Sequence, residues 1–143
     1  LRLNSGSRVT LGDRVESDGR VSITTGYAGR LNIGSGVYFN DGAVISCLGK
    51  ITIGENTLFG PGVKIFDNNH RFSREEGVSR ECAAGCITVG RSCWIASDVV
   101  LLKGADIGDN CVIGAGCIIR GKVPAGSLVT RSGEQTTRPI KTR

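Results

Sequence analysis

A chain of 143 residues is about one domain long, and it has no apolar run of about 18 residues that would cross a membrane as a helix. Its net charge of +5 comes with neither a dense Lys/Arg stripe nor a series of stacking aromatics. That argues against nucleic-acid recognition and suits a ligand carrying several phosphates.

The N-terminus lacks the basic, apolar, small-residue progression of a secretory signal, so a soluble, cytoplasmic protein without membrane insertion is expected. Methionine is absent, and a segment preceding Leu1 is therefore expected as well. Six cysteines, Cys47, Cys82, Cys86, Cys93, Cys111 and Cys117, occur without an export signal; reduced, packed thiols are the expectation rather than a disulfide framework.

Along the chain one phrase returns, first as Val9-Thr10-Leu11-Gly12, then as Leu31-Asn32-Ile33-Gly34, Ile51-Thr52-Ile53-Gly54, Ile87-Thr88-Val89-Gly90 and Ala105-Asp106-Ile107-Gly108. Between these phrases the apolar period is six. Ile33, Phe39 and Ile45 lead to Ile53, Phe59 and Ile65 after a two-residue slip, and the series resumes at Val89, Ile95, Leu101, Ile107, Ile113 and Ile119. Four residues after each comes a smaller side chain, as at Val37, Ala43, Thr57, Cys93 and Cys111, with Gly49 and Asn69 as exceptions. Glycine directly follows half of the twelve apolar positions, where a turning backbone would use its freedom.

A period of six fits neither a helix nor a long alternating strand. It describes a short strand plus a corner, and three such units close a triangle. Five coils of this kind, stacked at about 4.8 Å, bury an apolar prism that no single coil could bury alone. The expected fold is thus all-β, a parallel β-helix of hexapeptide repeats over residues 1–124, followed by a loosely held polar tail, 125–143, with Arg131, Arg138, Lys141 and Arg143. A β-sandwich would leave the six-residue step unexplained.

The repeat is interrupted between His70 and Val89, where residues 71–88 read as a charged loop excursion; long irregular loops on rigid scaffolds tend to carry function. His70 is the sole histidine and stands at the junction of coil and loop. Imidazole is suited to taking a proton from a hydroxyl near neutral pH; Asp67, Asn68, Asn69 or a backbone carbonyl are the candidates to orient its ring. Trp94 follows the inward Cys93, so its indole is expected to point out of the prism as a binding surface. Tyr38 and Asn40, one coil before His70, are candidate acceptor contacts. Arg71 and Arg74 hint at an acidic sugar, although the loop's three arginines are matched by three glutamates. Cys82 and Cys86 are two thiols without a second pair, too few for a structural zinc site, and no metal is expected.

From Ile51 onward the chain resembles bacterial sugar O-acetyltransferases of the galactoside, maltose and capsular-polysaccharide types. The resemblance rests on Ile51-Thr52-Ile53-Gly54-Glu55-Asn56, Asp67-Asn68-Asn69-His70, Val89-Gly90-Arg91-Ser92-Cys93-Trp94-Ile95 and Ile107-Gly108-Asp109-Asn110-Cys111-Val112-Ile113-Gly114-Ala115-Gly116. A His at the head of the loop with a Trp 24 residues later is its most specific part. It implies a left-handed prism, since the general preference for right-handed crossovers would point the other way. It also implies a homotrimer with active sites in the clefts between subunits, acetyl-CoA as cosubstrate and a sugar or polysaccharide hydroxyl as acceptor.

In residue terms the resemblance implies that His70 is the general base and that Trp94 lines the acceptor and thioester region. Ser97 and Ala115 would contact the pantetheine arm and coenzyme. Arg120-Gly121-Lys122 stands where such enzymes often have a Thr-Lys pair near the phosphates, so Arg120 and Lys122 are the candidate phosphate contacts with the charge displaced. Thr130-Arg131-Ser132-Gly133 replaces the usual closing segment. Gamma-type carbonic anhydrases share the fold but need three histidines. An amine acceptor, on a sugar or a xenobiotic, and a non-catalytic β-helix scaffold are the alternatives.

Overall fold

A computed structural model describes residues 1–132 and 134–139, all of them in strands, turns and connections. Among these residues no helix is long and apolar enough to cross a membrane. The strands fall on three faces that the chain visits in rotation. The first face stacks Arg8–Leu11, Arg30–Ile33, Lys50–Ile53, Cys86–Val89, Asp106–Ile107 and Lys122–Val123. The second stacks Glu16–Ser17, Tyr38–Phe39, Leu58–Phe59, Trp94–Ile95, Val112–Ile113 and Ser127–Ser132. The third stacks Val21–Thr25, Ala43–Cys47, Lys64–Phe66, Val100–Leu102 and Ile118–Ile119. All pairings within these stacks are parallel, and equivalent hexad positions lie in register, as in Ile33↔Ile53 and Ile53↔Val89.

The six-residue period is the core. All twelve apolar hexad positions are 3% exposed or less, and the smaller residues four places on, from Val37 to Val123, are buried with them. Removing such a column from water is the dominant stabilising term. Phe39 stacks on Phe59 with ring centroids 4.8 Å apart. The first coil is the frayed end: Leu11 is exposed, and Val9, Val15, Val21 and Ile23 are only half-buried. Cys93, Cys111 and Cys117 are buried as the pattern required, Cys47 joins them, and all six cysteines are free thiols.

Two expectations change. The glycine that follows half of the apolar residues does not serve a left-handed backbone; that conformation falls two residues later, as at Gly36, Asn56, Ser92 and Asn110. The earlier glycine permits close stacking of coils instead, since a Cβ on Gly34 would come within 2.7 Å of the Glu55 backbone nitrogen. Nor are residues 125–132 and 134–139 a loose tail. Lys122–Val123 starts a sixth rung, Ser127–Ser132 continues the second face against Val112–Ile113, and Glu134–Pro139 folds back antiparallel onto it. Val129 is fully buried, which ties the segment to the prism. Gly133, Lys141 and Arg143 lie outside the described residues.

Candidate active site

The chain leaves the prism after Lys64–Phe66, at the corner between the third and first faces. Asp67 sits there fully buried, its carboxylate accepting hydrogen bonds from the Leu48 and Gly49 amides, each at 2.8 Å. Asn68 Nδ2 donates to the Ser46 carbonyl and hydroxyl oxygens at 3.3 and 3.1 Å. Both side chains therefore brace the exit against the coil below rather than reaching the imidazole. Beyond them Asn68–Ser73 and Gly77–Ala84 form an antiparallel hairpin, with a bulge between His70 and Phe72. The excursion expected at 71–88 thus starts three residues earlier, and Cys86–Thr88 already lie on the first face.

His70 is exposed on this hairpin, opposite Cys82. Its Nδ1 is 3.1 Å from the Ser79 carbonyl oxygen, and the Cys82 Sγ lies 3.6 Å from the same nitrogen. A carbonyl only accepts, so Nδ1 carries a proton, and in the neutral ring the lone pair is then on Nε2. The orienting group is the backbone carbonyl, one of the four candidates raised from sequence. Arg71 is exposed and its nearest acid is Glu81, at 3.9 Å across the hairpin. Among the described residues no third side chain joins Cys82 and Cys86 in a metal-binding group.

A second feature lies on the second face. Tyr38, Asn40, Leu58, Phe59, Gly60, Pro61, Trp94 and Ser97 line a shallow groove of about 260 Å³. Trp94 points outward as expected and is 55% exposed. Tyr38, Leu58 and Trp94 form one ladder, each in register with the next. The Tyr38 hydroxyl donates to Asp18 at 2.7 Å, and this hydrogen bond raises the phenol above its ordinary value. Leu58, Pro61 and Asp18 had not been singled out from sequence. Leu58 was within reach of the same rule as Trp94, because each follows an inward residue, Thr57 and Cys93.

Ser97 and Ala115 share the corner between the second and third faces, where the Gly116 amide donates to the Ser97 carbonyl at 2.9 Å. Arg120 is exposed at the corner between the third and first faces, and Lys122 lies on the first face in register with Asp106. Within one chain the candidate residues therefore divide into two sets. Tyr38, Asn40, Trp94, Ser97 and Ala115 lie on the second face and its far corner. His70, Asn68, Arg71, Arg120 and Lys122 lie on or beside the opposite corner. The prism itself stands between them.

A three-faced parallel coil of hexapeptide repeats with one histidine-bearing hairpin defines a class, and the comparisons agree on it. Residues 86–121 match the bacterial transferase hexapeptide (six repeats) family. The chain is 37% identical over 98 residues to galactoside O-acetyltransferase of Escherichia coli K12, a match covering 68% of this chain and 48% of that protein. A hexapeptide-repeat acetyltransferase from Vibrio cholerae superimposes with a TM-score of 0.75 at 22% identity, covering 93% of this chain and 74% of that one. A galactoside acetyltransferase in complex with coenzyme A does so with a TM-score of 0.65 at 28% identity, covering 89% and 64%.

Residues 86–121 carry the repeats of this transferase family, and the chain is similar to its acetyltransferases in sequence and in fold. It spans from 48% to 69% of the length of the first four relatives it matches. A coil of opposite hand would not superimpose over nine-tenths of the chain, so the prism has the family's left-handed sense.

Proposed function

We propose that the protein transfers an acetyl group from acetyl-CoA to a hydroxyl of a sugar or polysaccharide, with His70 as general base. The observation that carries this reading is the imidazole itself, solvent-facing, with Nδ1 held by the Ser79 carbonyl and Nε2 without a hydrogen-bond partner among the described residues. Support comes from the relatives, one of which is named a galactoside O-acetyltransferase and another of which was crystallised with coenzyme A.

In this mechanism Nε2 takes the proton of the acceptor hydroxyl as its oxygen attacks the thioester carbonyl. The tetrahedral intermediate then collapses, and the imidazolium returns the proton to the departing thiolate. The Ser79 carbonyl fixes the tautomer throughout and stabilises the charged ring. Trp94 and Tyr38 offer an apolar wall and Ser97 and Ala115 a small-residue corner for the pantetheine arm, with Asn40 at the groove's edge.

Because His70 and that groove lie on opposite sides of one prism, the reading requires a site completed between subunits. We place the hairpin of one protomer against the second face of its neighbour in a homotrimer, in the cytoplasm. Arg120 and Lys122 then approach the phosphates from the hairpin's side of the cleft.

The test is a mass-spectrometric screen of acetyl-CoA with neutral, acidic and amino sugars. O-acetyl product is expected with the wild type, and His70→Ala is expected to lower turnover by about a hundredfold or more with the assembly intact. Unchanged acetylation by that variant sinks the mechanism, and exclusive acetylation of the amino sugars sinks the hydroxyl acceptor.

A further inference from the structure

The outward side of the first face carries a row of cations that the groove and the hairpin do not use. Arg8 stands in register with Arg30, and Arg30 with Lys50. Adjacent rungs of a sheet are about 4.8 Å apart, and like charges directly opposite one another are destabilising. All three are exposed. Among the described residues the ion pairs are Arg71 with Glu81 and Arg91 with Asp109, so none of the three has a carboxylate within reach. The one acid on that side of the described strands is Asp106, two rungs beyond Lys50 and beside Lys122.

The row has direction. Lys50 lies in register with Cys86, the first residue to rejoin the prism after the hairpin, and the neighbouring Leu48 and Gly49 amides hold Asp67 at its exit. Next to the cations runs a second column, Thr10, Asn32 and Thr52, of short hydrogen-bonding side chains. Arg30 Nη1 donates to the Gly6 carbonyl at 2.8 Å, with the Gly29 and Ala28 carbonyls beside it at 3.2 and 3.3 Å.

We propose that Arg8, Arg30 and Lys50 form a track for an anionic polysaccharide, whose carboxylates or phosphates follow the cations while its hydroxyls meet Thr10, Asn32 and Thr52, and which leads the acceptor to His70. A row one residue wide suits a single flexible chain. A lipid surface would call for a broad basic face with apolar residues to insert, and a single-stranded nucleic acid for a series of stacking rings. The track rests on the acetyl-transfer reading only for its destination; its binding can be measured without any reaction.

The full chain is titrated with labelled oligogalacturonate and with a maltooligosaccharide of equal length. Binding of the acidic oligomer, weakened by added salt, is expected. Arg8→Gln combined with Lys50→Gln is expected to lower that affinity about tenfold, with coenzyme A binding unchanged. Arg30 is left in place in this variant because it donates to the Gly6 carbonyl, and Lys50→Glu alone is the control for fold and direction.

Equal binding of the neutral oligomer, an unaltered affinity in the folded double variant, or tighter binding of phosphatidylserine vesicles or single-stranded DNA would overturn the track. A protein that binds the acidic oligomer but acetylates no sugar overturns the proposed function and leaves the track standing. A protein that acetylates neutral sugars, with the double variant unimpaired on acidic ones, does the reverse.

Discussion

The twelve hexad residues of the prism are each 3% exposed or less, whereas none of residues 68–84 is buried. The prism is held by side chains stacked coil upon coil. The hairpin is held by its backbone ladder and by what happens at its exit. Burial and the proposed chemistry thus fall on different parts of one chain, and a substitution in either should be felt mainly there. The exit at Asp67 is where the two meet.

The largest expected effect tests the prism. Leu101→Ala empties a fully buried position and is expected to cost about 2–5 kcal/mol, read as a loss of thermal or denaturant stability. The hairpin's counterpart is the loss of turnover in His70→Ala, whose side chain is exposed and whose removal should leave the melting temperature in place. If that variant melts early, the division between the two regions fails.

Asp67→Ala addresses the junction. It leaves the Leu48 and Gly49 amides without their acceptor and is expected to cost about 1–3 kcal/mol. Amide exchange of the hairpin should rise with it. A variant that loses stability while hairpin exchange stays as in the wild type would show that Asp67 serves the prism alone.

A smaller effect concerns pH. Burial, with Asp67's charge second, pushes the Cys47 thiol from its ordinary 9.0 up to about 11. The unfolded chain releases this proton first, so the thiol's contribution to stability is complete below about pH 9 and is lost as pH rises towards 11. Cys93 and Cys117, also raised by burial, act in the same direction. Thermal melts across this range are expected to fall, and less steeply in Cys47→Ala. A melting curve rising with pH would contradict the sign.

The smallest effect is at the hairpin's tip, where Phe72 is 81% exposed. Phe72→Ala is expected to change the stability of the single chain by no more than about 0.5 kcal/mol. A larger loss at high protein concentration than at low would sharpen the comparison, as expected if the proposed homotrimer forms and covers the ring.

The sequence determined the prism because the β-helix repeats its environment. Each coil poses the same packing problem, so Ile33, Ile53, Val89 and Ile107 answer it alike and the period can be counted. The same rule turned Trp94 outward and, applied once more, would have found Leu58. Where the period stops, so does the inference. Nothing in residues 71–88 indicated a hairpin beginning at Asn68, because its strands pair with each other rather than with a repeating neighbour. The Ser79 carbonyl reaches His70 through that pairing alone, and Val129 is buried only because a rung exists beneath it. The register that aligns Arg8, Arg30 and Lys50, and the prism that separates His70 from Trp94, are likewise products of the stacking. They depend on contacts between residues far apart in the chain, which local composition does not encode.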